Sequence, residues 1–215
     1  MKTPIYFDNA ATTPIRDEVI DIMSEVMKNN FGNASSSHSF GRSSKSLIEK
    51  YRKDVAAYFK VSPAEIIFTS GGTEADNLVL QSAARDLGIK TFITSKTEHH
   101  AVLHTLDQLE KEYGVLVLYV NLDENGVVNY SHLEKLLQSH SNVLVSLMHV
   151  NNEIGNLLDI YQVAVLCKKY SALFHSDTVQ SVGHYPINLN DISIDFLAAS
   201  AHKFHGPKGV GFCFI

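Results

Sequence analysis

The feature that most constrains this chain is a regular alternation of short apolar runs with amphipathic helical stretches. "EIIFTS", "TFITSK", "VLVLYV", "NVLVSLMHV", "LFHSDT" and "DFLAASA" read as strands. Between them lie "EADNLVLQSAARDL", "AVLHTLDQLEKEY", "SHLEKLLQS" and "IYQVAVLCKKYS", whose apolar residues recur at helical spacing. Strands that are apolar on both faces and separated by helices predict an α/β fold. Its sheet is mainly parallel, with helices on both faces. "GVGFCFI" reads as one more strand, antiparallel after the tight "HGPKG" turn. Upstream, Ile15, Val19, Ile20, Met23, Val26 and Met27 predict an amphipathic helix, and Leu47, Ile48, Tyr51, Val55, Ala56 and Phe59 a second.

Composition narrows the partners. The 18 basic and 23 acidic residues give a net charge of -5, which leaves no cationic surface for nucleic acid or an anionic membrane. No apolar run approaches the length of a membrane span, and "MKTPIYFDNAATTP" lacks the apolar core of a secretory signal. Cys167 and Cys213 stand alone, outside any Cys-x-x-Cys pair, so neither a disulfide framework nor a thiolate zinc site is indicated. These features predict a cytoplasmic protein that acts on small molecules or other proteins.

In such a fold ligands bind beyond the carboxyl ends of the strands, where the loops gather. Five polar stretches fall there: "TSGGTEADN", "SKTEHH", "HVNNEIG", "HSDTVQ" and "SAHK". In the first, Gly71 and Gly72 lead into a helix that starts near Thr73, an arrangement suited to an anion such as a phosphate. The competing reading is a plain capping box made by Thr73 and Asp76. No Gly-Lys-Ser/Thr follows, which disfavours a nucleoside triphosphate. Asp177 ends an apolar strand, where a lone carboxylate is costly unless a cation or donors meet it. Gln180 lies three residues on and reaches the same flat ligand if the strand turns into a helix. Alternatively, Asp177 caps that helix. His99 and His100 end another strand. The His100/His104 spacing raises zinc as a competing idea, but no His-Glu-x-x-His pattern and no nearby cysteine supports it. His104, His132, His140 and His184 have structural or surface roles by default.

Lys203 follows the apolar run "DFLAASA", a poor setting for a solvated lysine, whereas Lys208 reads as a surface residue. A lysine facing a phosphate cradle, an acid for a ring nitrogen and a flat stacking group meets the needs of pyridoxal 5'-phosphate. In that reading Lys203 condenses with the cofactor aldehyde, Asp177 keeps the pyridine nitrogen protonated, Gln180 donates to the phenolic oxygen, and Ser200 joins Thr73 on the phosphate.

"YFDNAATTP", "FTSGGTEADN", "EHHAV", "HVNNEIG", "HSDTVQSVG" and "SAHKFHGPKGVG" occur in the order and spacing of a known family, and the resemblance covers essentially the whole chain. The chain resembles the class V aminotransferase-like, pyridoxal-phosphate-dependent cysteine desulfurases, which supply sulfur for iron-sulfur clusters and tRNA thiolation. The resemblance implies a fold type I large domain over residues 15–215, incomplete at its C-terminus, preceded by an N-terminal segment, 1–14, that borders the substrate pocket. It implies catalytic roles for Lys203 and His99, the latter stacked on the cofactor ring. Cofactor binding is implied for Gly72, Thr73, Asn152, Asp177, Gln180, Ser200 and His202. Asn9, Ala10, Ala11, Thr12, Asn33 and Asn152 would contact the substrate, L-cysteine, which becomes L-alanine as its sulfur passes to an enzyme thiol. No metal is implied. One departure is Ala34 in "FGNASS", where the family usually has proline, leaving that loop less stiff.

Family members are roughly twice as long. The resemblance therefore implies an N-terminal fragment without the C-terminal small domain, the catalytic cysteine or the arginine that holds the substrate carboxylate, and inactive by itself. The full-length enzyme would be a homodimer with a sulfur-acceptor or scaffold partner. Two other readings stand beside it: another class V enzyme, such as a selenocysteine lyase or aminotransferase, and a non-catalytic remnant that binds cofactor.

Overall fold

Each run of β-branched and aromatic residues forms a strand only four or five residues long, because polar, glycine-bearing or turn-forming residues bound it on both sides. The computed structural model describes residues 4–215, so the first three residues of the expected N-terminal segment lie outside the described residues. In chain order the elements are α1 (Asp17–Asn29), α2 (Ser39–Phe59), β1 (Ile66–Thr69), α3 (Gly72–Arg85), β2 (Thr91–Thr94), α4 (His100–Tyr113) and β3 (Leu116–Tyr119). These are followed by α5 (Tyr130–Ser139), β4 (Val143–Ser146), α6 (Ile160–Lys169), β5 (Leu173–Asp177), β6 (Phe196–Ser200) and β7 (Gly211–Phe214).

The seven strands form one sheet in the order β1-β7-β6-β5-β4-β2-β3. β2 to β6 pair in parallel, and β7 runs antiparallel to both β1 and β6, as the "HGPKG" turn led us to expect. The C-termini of β1, β2, β4, β5 and β6 therefore point to one edge. The mainly parallel sheet with helices on both faces agrees with the sequence expectation. On one face, α3 and α4 pack Leu80, Val102 and Leu106 against Phe92 and Leu144, and Ala75 and Val79 against Ala198 and Cys213. On the other, Phe59 of α2, Leu133 of α5 and Val163 of α6 share a core with Ile93, Val145, Phe174, Leu197 and Phe212. Neighbouring residues such as Phe92 and Ile93 thus point to opposite faces, and both are buried.

Two features aim the site. β7 lies so close to the β1–α3 loop that a Cβ on Gly211 would meet the Ala199 carbonyl at 2.5 Å and Gly71 Cα at 2.7 Å. The N-terminal segment crosses the C-terminal edge of the sheet. It is fastened there by Thr13, whose N–H and hydroxyl donate to the His202 carbonyl at 2.8 and 2.9 Å, while the His205 N–H donates to the Thr13 hydroxyl at 2.8 Å.

The predicted first helix forms, but its apolar stripe finds no core: α1 contains no buried residue, and Met27 is 68% exposed. Beyond β5 the chain makes turns rather than the helix considered after Asp177. Among the described residues no helix is long and apolar enough to cross a membrane.

Candidate active site

The N-terminus of α3 is left uncapped by side chains: Gly71 precedes it and offers none. The capping box between Thr73 and Asp76 is not made. Thr73 lies inside the helix, and Asp76 turns into the interior, where it is 1% exposed. Glu74 instead accepts from the Ser70 N–H at 2.5 Å, leaving the first-turn amides of Gly72 and Thr73 without an intrahelical acceptor. Gly72 sits where a Cβ would lie 2.4 Å from Val179 Cγ2, and a Cβ on Gly71 would be 3.5 Å from Ser200 Oγ. Backbone amides, the Thr73 and Ser200 hydroxyls and the partial positive end of the helix therefore border one concavity, which suits a phosphate.

That concavity is one end of a cavity of about 690 Å³, lined among others by Thr73, Asp76, His99, Asn152, Asp177, Gln180, Ser200, His202, Lys203 and Lys208. Asp177 closes its inner wall. The Asp177 carboxylate accepts from the Val179 N–H at 2.9 Å, so the capping alternative survives only as a local turn. Burial pushes Asp177 up to about 7. A carboxyl so placed ionises more readily once a positive charge arrives.

Lys203 stands in a short 3₁₀ turn, Ala201–Lys203, directly after β6. Half-burial lowers its ammonium from the usual lysine value, against the pull of Asp177 and Asp8. Its amine donates to the Ala10 carbonyl, and the Gln180 amide donates to the same oxygen at 2.8 Å. Ala10 and Ala11 thus line the cavity. Asn9, Thr12 and Asn33 are not brought to its wall. Thr12 lies 3.1 Å from His202 Nδ1, and the Asn33 side chain accepts from the Ser35 N–H at 2.9 Å.

His99 caps α4. Its Nδ1 accepts from the Ala101 N–H at 3.1 Å, which leaves Nε2 as the proton-bearing nitrogen and fixes the ring at the cavity wall. His100 and His104 instead stack on each other at 4.9 Å, outside the cavity. Asn152 reaches the cavity with its amide donating to Glu153 at 2.7 Å. Sequence reasoning missed several cavity residues, among them Asp8; Asp76, whose polarity at an inward helical position was read as capping; Lys208, read as surface; and Met148, hidden inside an apolar run. The two cysteines stay away. Cys167 on α6 and Cys213 on β7 are buried, and desolvation pushes their thiols up to about 12 and about 11.

A lysine amine, a buried acid, an amide, an imidazole and an uncapped helix start thus gather around one cavity. The sequence matches the family described as Aminotransferase class-V over residues 5–215, and the chain belongs to that family. It is similar to cysteine desulfurase IscS of Dictyoglomus turgidum, 45% identical over 217 residues covering 100% of this chain and 55% of the relative. Cysteine desulfurase IscS of Neisseria meningitidis serogroup C is 42% identical over 218 residues, covering 100% of this chain and 54% of its own. The chain spans about half the length of the curated relatives it matches. Among solved structures it superimposes on a "NIFS-LIKE PROTEIN" with a TM-score of 0.94 at 40% identity, covering 99% of this chain and 59% of that one. "SspA in complex with cysteine" gives a TM-score of 0.92 at 32% identity, with 98% and 60% covered.

Proposed function

We propose that this chain holds pyridoxal 5'-phosphate on Lys203 and that the whole protein is a cysteine desulfurase. It would convert L-cysteine to L-alanine and leave the sulfur on an enzyme thiol for an acceptor or scaffold protein. The observation that carries the reading is the convergence of the Lys203 amine, the Asp177 carboxyl and the uncapped Gly72–Thr73 turn on one cavity. Two points support the fit: the missing Cβ at Gly72 lets the uncapped helix start pack against Val179 of the cavity wall, and a buried acid with a raised pKa lines the same cavity.

When bound, the cofactor supplies a protonated ring that takes up the electron pair released at the substrate α carbon. This chain's residues do the rest. Gly72, Thr73, Ser200 and His202 would bind the phosphate, and Asp177 would hold the proton on the ring nitrogen. Gln180 and Asn152 would face the phenolic oxygen, and His99 the ring surface. Lys203, released from Ala10, is the base that takes the proton from the substrate α carbon and returns it later. Its depressed ammonium suits that exchange.

A second copy of the chain is part of this reading. The exposed apolar residues of the N-terminal segment and α1, among them Phe7 and Met27, support further protein contacts there. A cytoplasmic setting fits an iron-sulfur or tRNA sulfur donor. The test is the whole protein with L-cysteine: alanine and sulfide released in equal amounts support the reading. Transamination to a keto acid without sulfide, or turnover of selenocysteine alone, overturns it.

A further inference from the structure

Behind the cavity lies a buried polar chain that the proposed reaction leaves unused. Asp76 on α3, His175 on β5 and Ser146 on β4 are 1%, 0% and 0% exposed. Ser146 and His175 are paired across the β4–β5 ladder. Ser146 Oγ lies 2.9 Å from His175 Nδ1, and His175 Nε2 lies 3.3 Å from Asp76 Oδ1. Among the described residues neither Asp76 Oδ1 nor His175 Nε2 has a hydrogen-bond partner, so this 3.3 Å approach is the contact open to both. Left bare, each buried polar atom keeps the full penalty of losing its water. A proton between them removes that cost for both.

The question is which group owns the proton. His175 and Asp177 are two residues apart on one strand and so point to the same face, the one that α3 covers. Asp76 and Asp177 are therefore two buried carboxyls lining one cavity, and two such groups do not ionise together without a large repulsion. Their surroundings differ. Asp177 accepts a backbone N–H at 2.9 Å and feels the Lys203 ammonium, both of which favour the anion. Asp76 Oδ1 meets only an imidazole. The other titratable groups around Asp76 are Glu98 and His99 before α4, Cys213 on β7 and Glu74 on α3 itself, and none of these bonds to Asp76 Oδ1. Complete burial favours neutral Asp76 and holds His175 down to about 4, also neutral.

We propose that Asp76 is a protonated positioning residue: its O–H donates to His175 Nε2, and His175 Nδ1–H donates to Ser146 Oγ. The arrangement keeps the Asp76 proton turned away from Asp177 and assigns the negative charge of the inner wall to Asp177, facing the cavity. The use made of that charge rests on the cofactor reading above; the protonation of Asp76 does not.

The test is infrared spectroscopy of the cofactor-free chain at neutral pH, followed by absorption titration of the cofactor-loaded chain. Asp76→Asn should fold, because its amide offers the same donor to His175 Nε2. It should lose one protonated-carboxyl band and leave the pH midpoint of the bound cofactor's absorption in place. In His175→Leu, where the carboxyl loses its acceptor, that band should move to higher frequency. Three results overturn the proposal. The first is no band lost in Asp76→Asn or no band shift in His175→Leu, and the second is an Asp76→Asn chain that fails to fold. The third is a midpoint that falls by about one unit or more in Asp76→Asn, the tenfold change expected if an ionised neighbour were removed. If the unaltered chain takes up no cofactor, the cofactor reading fails, while the infrared result still decides the state of Asp76.

Discussion

Replacing Asp177 by Asn should stabilise the cofactor-free chain at high pH and weaken its hold on the cofactor. Burial raises Asp177 from 3.8 to about 7. A carboxyl whose folded pKa exceeds its unfolded one binds its proton more tightly when folded. Its favourable contribution is therefore complete below about pH 4 and is lost as pH rises through the window up to about 7. At about 1.4 kcal/mol per unit, a rise of roughly three units sets an upper limit of about 4 kcal/mol on the loss by pH 8. The Asn side chain stays neutral, and its oxygen still accepts the Val179 N–H, now at 2.9 Å from the acid. Urea unfolding of the cofactor-free chains at half-unit steps from pH 4 to pH 8 measures the difference. The two should coincide near pH 4, with Asp177→Asn gaining up to the limit by pH 8. Saturating cofactor should erase or reverse that gain, because only the carboxylate holds the ring nitrogen protonated. A stability difference independent of pH would refute the reasoning, since it would mean that Asp177 titrates alike in both states.

Other perturbations reach different parts of the site. Gly72→Ala puts a Cβ 2.4 Å from Val179 Cγ2, which should cost about 1–3 kcal/mol in urea unfolding and weaken cofactor binding. Val179→Ala in the same chain should restore most of both, and a Gly72→Ala chain of unchanged stability would argue against the close packing. This chain by itself should make no alanine from L-cysteine beyond a single turnover, because both thiols are buried, held near 12 and 11, and absent from the cavity wall. Many turnovers that vanish in Cys213→Ala would show that β7 opens.

Much of the fold was legible because burial on both faces leaves a simple signature: runs such as "TFITSK" and "NVLVSLMHV" have no polar face and can only be central strands. The antiparallel β7 was legible from the turn before it. That Asp177, Gln180, Lys203 and His99 share one cavity was legible because polar groups at strand ends of such a sheet collect at one edge. What escaped depended on three-dimensional neighbours. Asp76 carries the spacing of a helix cap, and only the uncapped Gly71 and the closeness of His175 show that it turns inward. Lys208 reaches the cavity because the "HGPKG" turn folds back beside Lys203. The exposure of α1 has no local signal at all, since an amphipathic helix reads the same whether its partner surface is near or far. Asn33 was expected at the pocket through resemblance alone, and in this structure its side chain is spent on its own loop.

The central claim, that Lys203 carries the cofactor, is tested most directly by chemical trapping. The chain would be mixed with pyridoxal 5'-phosphate, reduced with borohydride, digested and mapped by mass spectrometry. One stoichiometric pyridoxyl label should appear on the peptide containing Lys203 and be lost in Lys203→Ala. A label on Lys208, or one spread over many lysines and indifferent to Lys203→Ala, would contradict it.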